Sequence, residues 1–335
     1  DALKMGIPRL TQWLRSTFPD AFRSEADLKA EHVYLDMNSI LHETLIARGG
    51  GASEAEFFKA VLARVDHLLD KVSPSTTLLV AIDGPAAAAK VAEQRRRRRA
   101  RLRMEKGVTL NMLTPGVPVM DRLADRLLEH LKLHQAEGRL PAELQITVSG
   151  PSEPGEGEHK IMLQLIRNES AKTREDENHV IVGTDSDLFL APVALLNGPR
   201  SVTVARCEES IDAHGRRTVL RVCQTHRMIE SILRQFCKLA APAFCPTPKE
   251  EHRVRLDFLL VTCLRGNDYL PELLSDISAE DLWPRYLRWR SDSAEGLVDW
   301  EDDSNQPVLS QGAFAEFLGR LGGAWSPQKV TALSA

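Results

Sequence analysis

Four short apolar runs constrain this chain more than any other feature. They are 32–36 (HVYLD), 76–83 (TTLLVAID), 144–149 (LQITVS) and 179–184 (HVIVGT), each nearly unbroken until a polar or turn residue stops it. A strand with one wet face alternates apolar and polar residues, whereas a continuous run suits the centre of a parallel sheet covered on both faces. Helical patterns fill the intervals. Pro8 opens an early helix that stops before Pro19, Ser53 followed by Glu56 is a capping box for a helix through about Lys71, and PGVP at 115–118 precedes a helix to about His134. The β-α-β rhythm predicts an α/β fold, a mostly parallel sheet flanked by helices. After residue 200, SVTVAR and RTVLRV flank a polar DAHGR turn and predict a hairpin, with helices following at 226–240, 254–264 and 312–321.

The same runs decide where the carboxylates fall. Asp36 ends the first, Asp83 ends the second, Asp185 and Asp187 follow the fourth, and Glu156 and Glu158 lie in GEGEHKIM after the third. In a parallel sheet all six positions share the C-terminal edge, where open α/β sheets bind ligands. Asp268, in LRGNDYLP after an apolar segment, would reach the same edge from a helix end. One strand-end Asp is equally well explained as a helix cap. A DxD doublet and an ExE pair at matching edges are not. Carboxylates crowded into one cleft repel unless cations neutralise them, and oxygen ligands favour Mg²⁺ or Mn²⁺. Two such ions about 4 Å apart are an apparatus for in-line attack on a phosphodiester.

A net charge of −4 conceals an asymmetry: residues 90–106 hold nine Lys/Arg against two Glu. Pro85 and the four alanines after it predict a helix from Pro85 to Lys106. At about 100° per residue, Lys90, Gln94, Arg97, Arg98 and Arg101 share one face, which begins beside Asp83. Such a basic face next to acids suits an enzyme that grips one phosphate while cleaving the next. Arg95, Arg96 and Arg99 point elsewhere, as a solvated or backbone-binding stripe. Apolar residues at 43% and charged residues at 27% exclude a wholly disordered or collagen-like chain. No apolar run is long enough to cross a bilayer and no signal pattern opens the chain, so a soluble protein without a membrane partner is expected. Five cysteines, odd in number and never spaced CxxC, point to an intracellular compartment, whether cytoplasm, nucleus or mitochondrion. Trp283 and Trp289 are expected in a packed amphipathic segment.

Several blocks taken together carry a family resemblance. MGIPRLTQWLRSTFP (5–19), LDMNSILH (35–42), DGPAAAAK followed by QRRRRR (83–99), TPGVPVM (114–120), PGEGEHKIM (154–162), GTDSDL (183–188) and GNDYLP (266–271) resemble, in order and spacing, successive blocks of the Xrn-type 5′→3′ exoribonucleases. The likeness runs from Met5 to about residue 290. It implies a nuclease domain of PIN-like, flap-endonuclease-related type over 5–290, with a small appendage over 291–335 that is incomplete relative to the family. It further implies that Asp36, Asp83, Glu156, Glu158, Asp185, Asp187 and Asp268 bind two Mg²⁺ (or Mn²⁺) ions, that Lys90, Gln94, Arg97 and Arg98 form a pocket for a 5′-monophosphate, and that His42 stacks on a base. The implied activity is removal of nucleotides from single-stranded RNA bearing a 5′-monophosphate. A catalytically reduced Xrn-like subunit that binds RNA or scaffolds a ribonucleoprotein with protein partners is the alternative, and a structure-specific DNA nuclease a third reading. The complete set of seven acids favours an enzyme.

Departures from the family pattern are Ser39 where Gly usually follows DMN, and DGPAAAAK where DGxxPRAK is usual. Residues 1–4 precede the Met-Gly start. A second conserved region, which in the family supplies an aromatic partner for the base stack, does not follow within these 335 residues, and their expected action on RNA alone is distributive.

Overall fold

The computed structural model describes residues 10–48, 52–87, 90–91, 107–170, 177–195, 201–212, 215–239, 247–267, 277–293, 295–301 and 306–321. Among them run strands β1 (Phe22–Glu25), β2 (Leu28–Asp36), β3 (Val72–Ala81), β4 (Gln145–Ser149), β5 (Asn178–Val182), β6 (Ser201–Asp212), β7 (Gly215–Gln224), β8 (Val298–Trp300) and β9 (Pro307–Leu309). The helices are α1 (Leu10–Thr17), α2 (Met37–Ala47), α3 (Glu54–Lys71), α4 (Pro118–Ala136), α5 (Gly157–Ser170), α6 (Asp187–Leu190), α7 (Thr225–Leu239), α8 (Pro248–Cys263), α9 (Ala279–Asp292) and α10 (Gln311–Arg320). No helix among the described residues is long and apolar enough to cross a membrane.

The chain divides into two compact units. One comprises Phe22–Leu188 and Asn197–Thr225; the other comprises Asp1–Ala21, Phe189–Leu196 and His226–Ala335. The first holds a seven-stranded sheet in the order β1-β7-β6-β5-β2-β3-β4. Strands β2 to β6 pair parallel, while β7 joins β6 and β1 joins β7 antiparallel. The fold is therefore α/β with a mostly parallel sheet. Each of the four apolar runs supplies a strand to the parallel portion, and the expected hairpin is β6 and β7.

This sheet packs on a largely aliphatic core. Helix α3 buries Phe57, Val61, Val65 and Leu68, spaced four, four and three residues apart, against β2 and β3 and against Leu123, Leu127 and Leu131 of α4. Each such side chain contributes roughly 1.5–3 kcal/mol by leaving water. The start of α3 is fixed by the expected capping box: Ser53 Oγ accepts from Glu56 N at 3.3 Å, and Ser53 N donates to Glu56 Oε2 at 3.0 Å.

The second unit is built differently. Trp13 stacks on Phe258 with ring centres 5.8 Å apart, Phe258 meets Trp283 edge-on at 5.1 Å, and Trp283 stacks on Tyr286 at 5.0 Å. Trp289 and Phe317 extend this aromatic core, and both expected tryptophans, 283 and 289, are buried in it. Its polar centre is Asp257 on α8, which accepts from Tyr286 Oη at 2.5 Å, Leu297 N at 3.2 Å and Val298 N at 2.8 Å. One carboxylate thus ties α8, α9 and the β8–β9 hairpin together.

Candidate active site

Parallel register sets the floor of the site. Asp36 is level with Ala81, Ala81 with Ser149, and Leu35 with Val182, so β2, β3, β4 and β5 end at one edge. Asp36 closes β2; Asp83 stands two residues past β3, and Asp185 three past β5. Glu156 and Glu158 enter from the start of α5. The glycine between them has a steric cause. A Cβ on Gly157 would sit 2.6 Å from Asp36 Oδ1 and 3.2 Å from the Ala81 carbonyl oxygen, so only glycine lets the chain pass. Its N–H donates to Asp83 Oδ1 at 2.8 Å. Two acids therefore flank a residue whose N–H binds a third and whose lack of a Cβ leaves room for a fourth.

The electrostatics follow from that crowding. Asp36 is 3% exposed, and burial raises its pKa well above the usual carboxylate range. Repulsion from Asp83, Asp185 and Glu158 adds to the shift, against a smaller pull from the backbone at Asn38. Asp83 is pushed up to about 6 by burial first; Glu156 and Asp185 add to this, while the Gly157 N–H and Lys90 oppose it. Glu158 is pushed up to about 8, again by burial first, with Lys90 opposing and Asp187, Glu156 and Asp185 adding. The structure thus brings Asp36, Asp83, Glu156, Glu158, Asp185 and Asp187 into one interacting group. All six offer carboxylate oxygens, and hard donors crowded together in this way fit hard divalent cations.

Two lysines temper the group. Lys90 Nζ lies 2.9 Å from Glu156 Oε2, and both residues are buried. Lys160 is also buried, and its Nζ donates to the carbonyl oxygens of Ile82 and Gly150, both at 2.7 Å. Burial lowers its pKa. It clamps the chain leaving β3 to the chain leaving β4. Sequence reasoning passed over Lys160 although it stands inside GEGEHKIM, four residues after Glu156 and so one helical turn further on.

His42 lies on α2, six residues beyond Asp36, and is half-buried. Gln94, Arg97, Arg98, Arg101 and Asp268 fall outside the described residues, as do the other arginines of 95–103. The helix expected from Pro85 starts later. Pro85, Ala86 and Ala87 are not helical, whereas Lys90 and Val91 are. Gly84 N donates to the Gly155 oxygen at 2.9 Å and Gly155 N to the Pro85 oxygen at 3.0 Å, an exchange that takes these residues out of the helix. Gly84 is obligatory there, since a Cβ would fall 1.7 Å from the Glu153 oxygen.

Fold and edge together define an α/β protein with six carboxylates gathered at the end of its parallel strands. Residues 5–206 match the family model of the XRN 5'-3' exonuclease N-terminus. The chain belongs to that family. It is similar to 5'-3' exoribonuclease 1 of Schizosaccharomyces pombe, 28% identical over 80% of this chain and 22% of that protein, and to 5'-3' exoribonuclease 1 of Saccharomyces cerevisiae, 29% identical over 80% and 19%. The 5'-3' exoribonuclease 2 homolog of Drosophila melanogaster is 31% identical over 57% of this chain and 27% of its own length. The chain spans only about a fifth of each yeast protein. Among solved structures, the catalytic core of Rad2 in complex with DNA substrate aligns with a TM-score of 0.43 at 15% identity, over 82% of this chain and 67% of that one.

Proposed function

We propose that this chain is the nuclease domain of a 5′→3′ exoribonuclease, which removes nucleotides from single-stranded RNA bearing a 5′-monophosphate. The observation that supports this most is the group of six mutually repelling carboxylates bordered by buried Lys90, in a chain of the XRN 5'-3' exonuclease family. Its relatives bear the name 5'-3' exoribonuclease. The six acids, with Asp268 as a seventh, would hold two Mg²⁺ or Mn²⁺ ions. When bound, such ions supply Lewis-acid stabilisation of the charge that develops on a phosphate under attack.

The chain's own residues do the rest. Lys90, with Gln94, Arg97 and Arg98, takes the terminal phosphate, which carries more charge than an internal diester and is smaller than a cap or triphosphate. His42 offers a ring for a base to stack on. Lys160 fixes the ends of β3 and β4, so that the acids are positioned before substrate arrives. Water attacks the first internal phosphorus, the P–O3′ bond breaks, and a proton from water ends on the departing 3′ oxygen. A nucleoside 5′-monophosphate leaves and the shortened RNA again carries a 5′-monophosphate, so each product is the next substrate.

The test compares 5′-phosphate with 5′-hydroxyl single-stranded RNA. One charge-assisted hydrogen bond contributes about 1.5–3 kcal/mol, so the wild-type chain should prefer the phosphate by about tenfold to a hundredfold. Lys90→Ala should erase most of that preference. Equal degradation of both RNAs by the wild type would remove the phosphate pocket from this account. Binding of RNA ends without product in either Mg²⁺ or Mn²⁺ would favour an RNA-binding subunit instead.

A further inference from the structure

We propose that Asp66, His130 and His134 form a second cation site, made for Zn²⁺ and related imidazole-seeking ions rather than for Mg²⁺. Helix α3 carries Asp66 near its end and leads into β3; α4 carries both histidines near its end and leads towards β4. All three therefore lie towards the edge of the parallel sheet opposite the six acids. His130 and His134 stand four apart, one helical turn, with ring centres 4.1 Å apart. His130 Nε2 lies 2.7 Å and His134 Nδ1 3.4 Å from the same oxygen, Asp66 Oδ1.

Geometry and ligand chemistry both favour zinc. Around a tetrahedral Zn²⁺ with bonds near 2.0–2.1 Å, ligand atoms stand about 3.3 Å apart. The Asp66–His134 separation already has that value, and the Asp66–His130 pair needs to open by about 0.6 Å. The three ligand atoms all lie within 4.8 Å of one another. Two imidazoles and one carboxylate are a borderline donor set that suits zinc and its neighbours, whereas Mg²⁺ seeks oxygen alone. Asp66 and His130 also line a cleft of about 880 Å³ between α3 and α4, which gives an ion a way in and water a place as fourth ligand.

One residue opposes the ion. Arg139 Nη1 donates to His134 Nε2 at 3.1 Å, which keeps the proton of a neutral His134 on Nδ1, the atom that would ligate. Zinc binding moves that proton to Nε2, moves the proton of His130 to Nδ1, and displaces Arg139, whose side chain is 63% exposed and also paired with Glu137 at 3.2 Å. In neutral rings these are tautomer shifts with no net proton release. Arg139 is thus a built-in competitor that sets the affinity.

The experiment titrates Zn²⁺ calorimetrically into the full chain under excess Mg²⁺, which competes at the six acids. The wild type should bind one equivalent more than the His130→Gln/His134→Gln variant, and Co²⁺ should give it intense tetrahedral visible bands that the variant lacks. Arg139→Ala, a change at an exposed position, should tighten Zn²⁺ binding several-fold. Equal zinc stoichiometry in wild type and double variant would show that the three residues are only a hydrogen-bonded cluster. Should the double variant fail to fold, an unchanged zinc affinity in Arg139→Ala overturns the proposal by itself.

Discussion

Asp36 and Asp257 are both buried, 3% and 1% exposed, and burial raises the pKa of each. Their company differs. Asp257 is met by the Tyr286 hydroxyl, two backbone N–H groups and the nearby charge of Arg290, all of which pull its pKa back, to about 6. Asp36 is met by Asp83, Asp185 and Glu158, which push further in the direction that burial has already taken it. A buried acid among donors is a tie that holds a fold. A buried acid among acids costs the fold free energy until a cation joins it, and that cost is what singles out this edge as the candidate site.

Substitutions test that contrast, and the largest effect should come from the edge. Asp185→Asn with Asp187→Asn should lower RNA cleavage by about a thousandfold or more, since loss of even outer-shell metal partners costs tenfold to a hundredfold each. The melting temperature in EDTA should stay level or rise. A variant that cleaves normally, or one that melts early without metal, would place these acids with Asp257 as structural ties. Asp257→Ala should do the reverse, leaving three buried donors without an acceptor and lowering unfolding free energy by about 3 kcal/mol or more. Urea midpoints would measure it.

The next prediction uses pH. Residue 257 has a folded pKa of about 6, raised from 3.8, so both folded and unfolded chains hold the proton at low pH. As pH rises from about 4 to 6 the unfolded chain releases the proton first, and stability falls by up to roughly 3 kcal/mol before levelling off. Asp257→Asn should remove that fall. If wild type and variant show parallel stability profiles over this window, the buried carboxylate is not titrating as its surroundings require. The smallest effect concerns metal: Mg²⁺ at ten times its dissociation constant should stabilise the wild type by about 1.4 kcal/mol through mass action. Calorimetric scans should show no such gain in the Asp185→Asn/Asp187→Asn variant.

The parallel core of the fold was legible because a strand covered on both faces carries no polar punctuation until it ends, as HVYLD and HVIVGT show. Strand β1 was not. Its four residues FRSE form an edge strand with an exposed middle, paired with β7 some two hundred residues later, and nothing local announces that partner. The edge acids were legible because parallel register converts sequence position into spatial level. The helix expected from Pro85 does not include Pro85, Ala86 and Ala87, because the local preference they express is overridden by the exchange between Gly84, Pro85 and Gly155. Lys160 and the Asp66, His130 and His134 group stayed hidden for the same reason as β1: their partners are distant in sequence. The ammonium of Lys160 reaches a carbonyl 78 residues away, and His130 meets a carboxylate 64 residues away.

Lys160 also bears on the order in which the molecule is assembled. Its ammonium feels Asp83 and is carried by the same helix as Glu158, so part of the countercharge for the acidic edge is covalently attached. Small zinc domains must capture an ion from solution to fold at all. Here the strand ends are fastened by a group that arrives with the chain during synthesis. A cation taken up at that edge would then not have to fasten these strand ends, because Lys160 already holds the Ile82 and Gly150 carbonyl oxygens together.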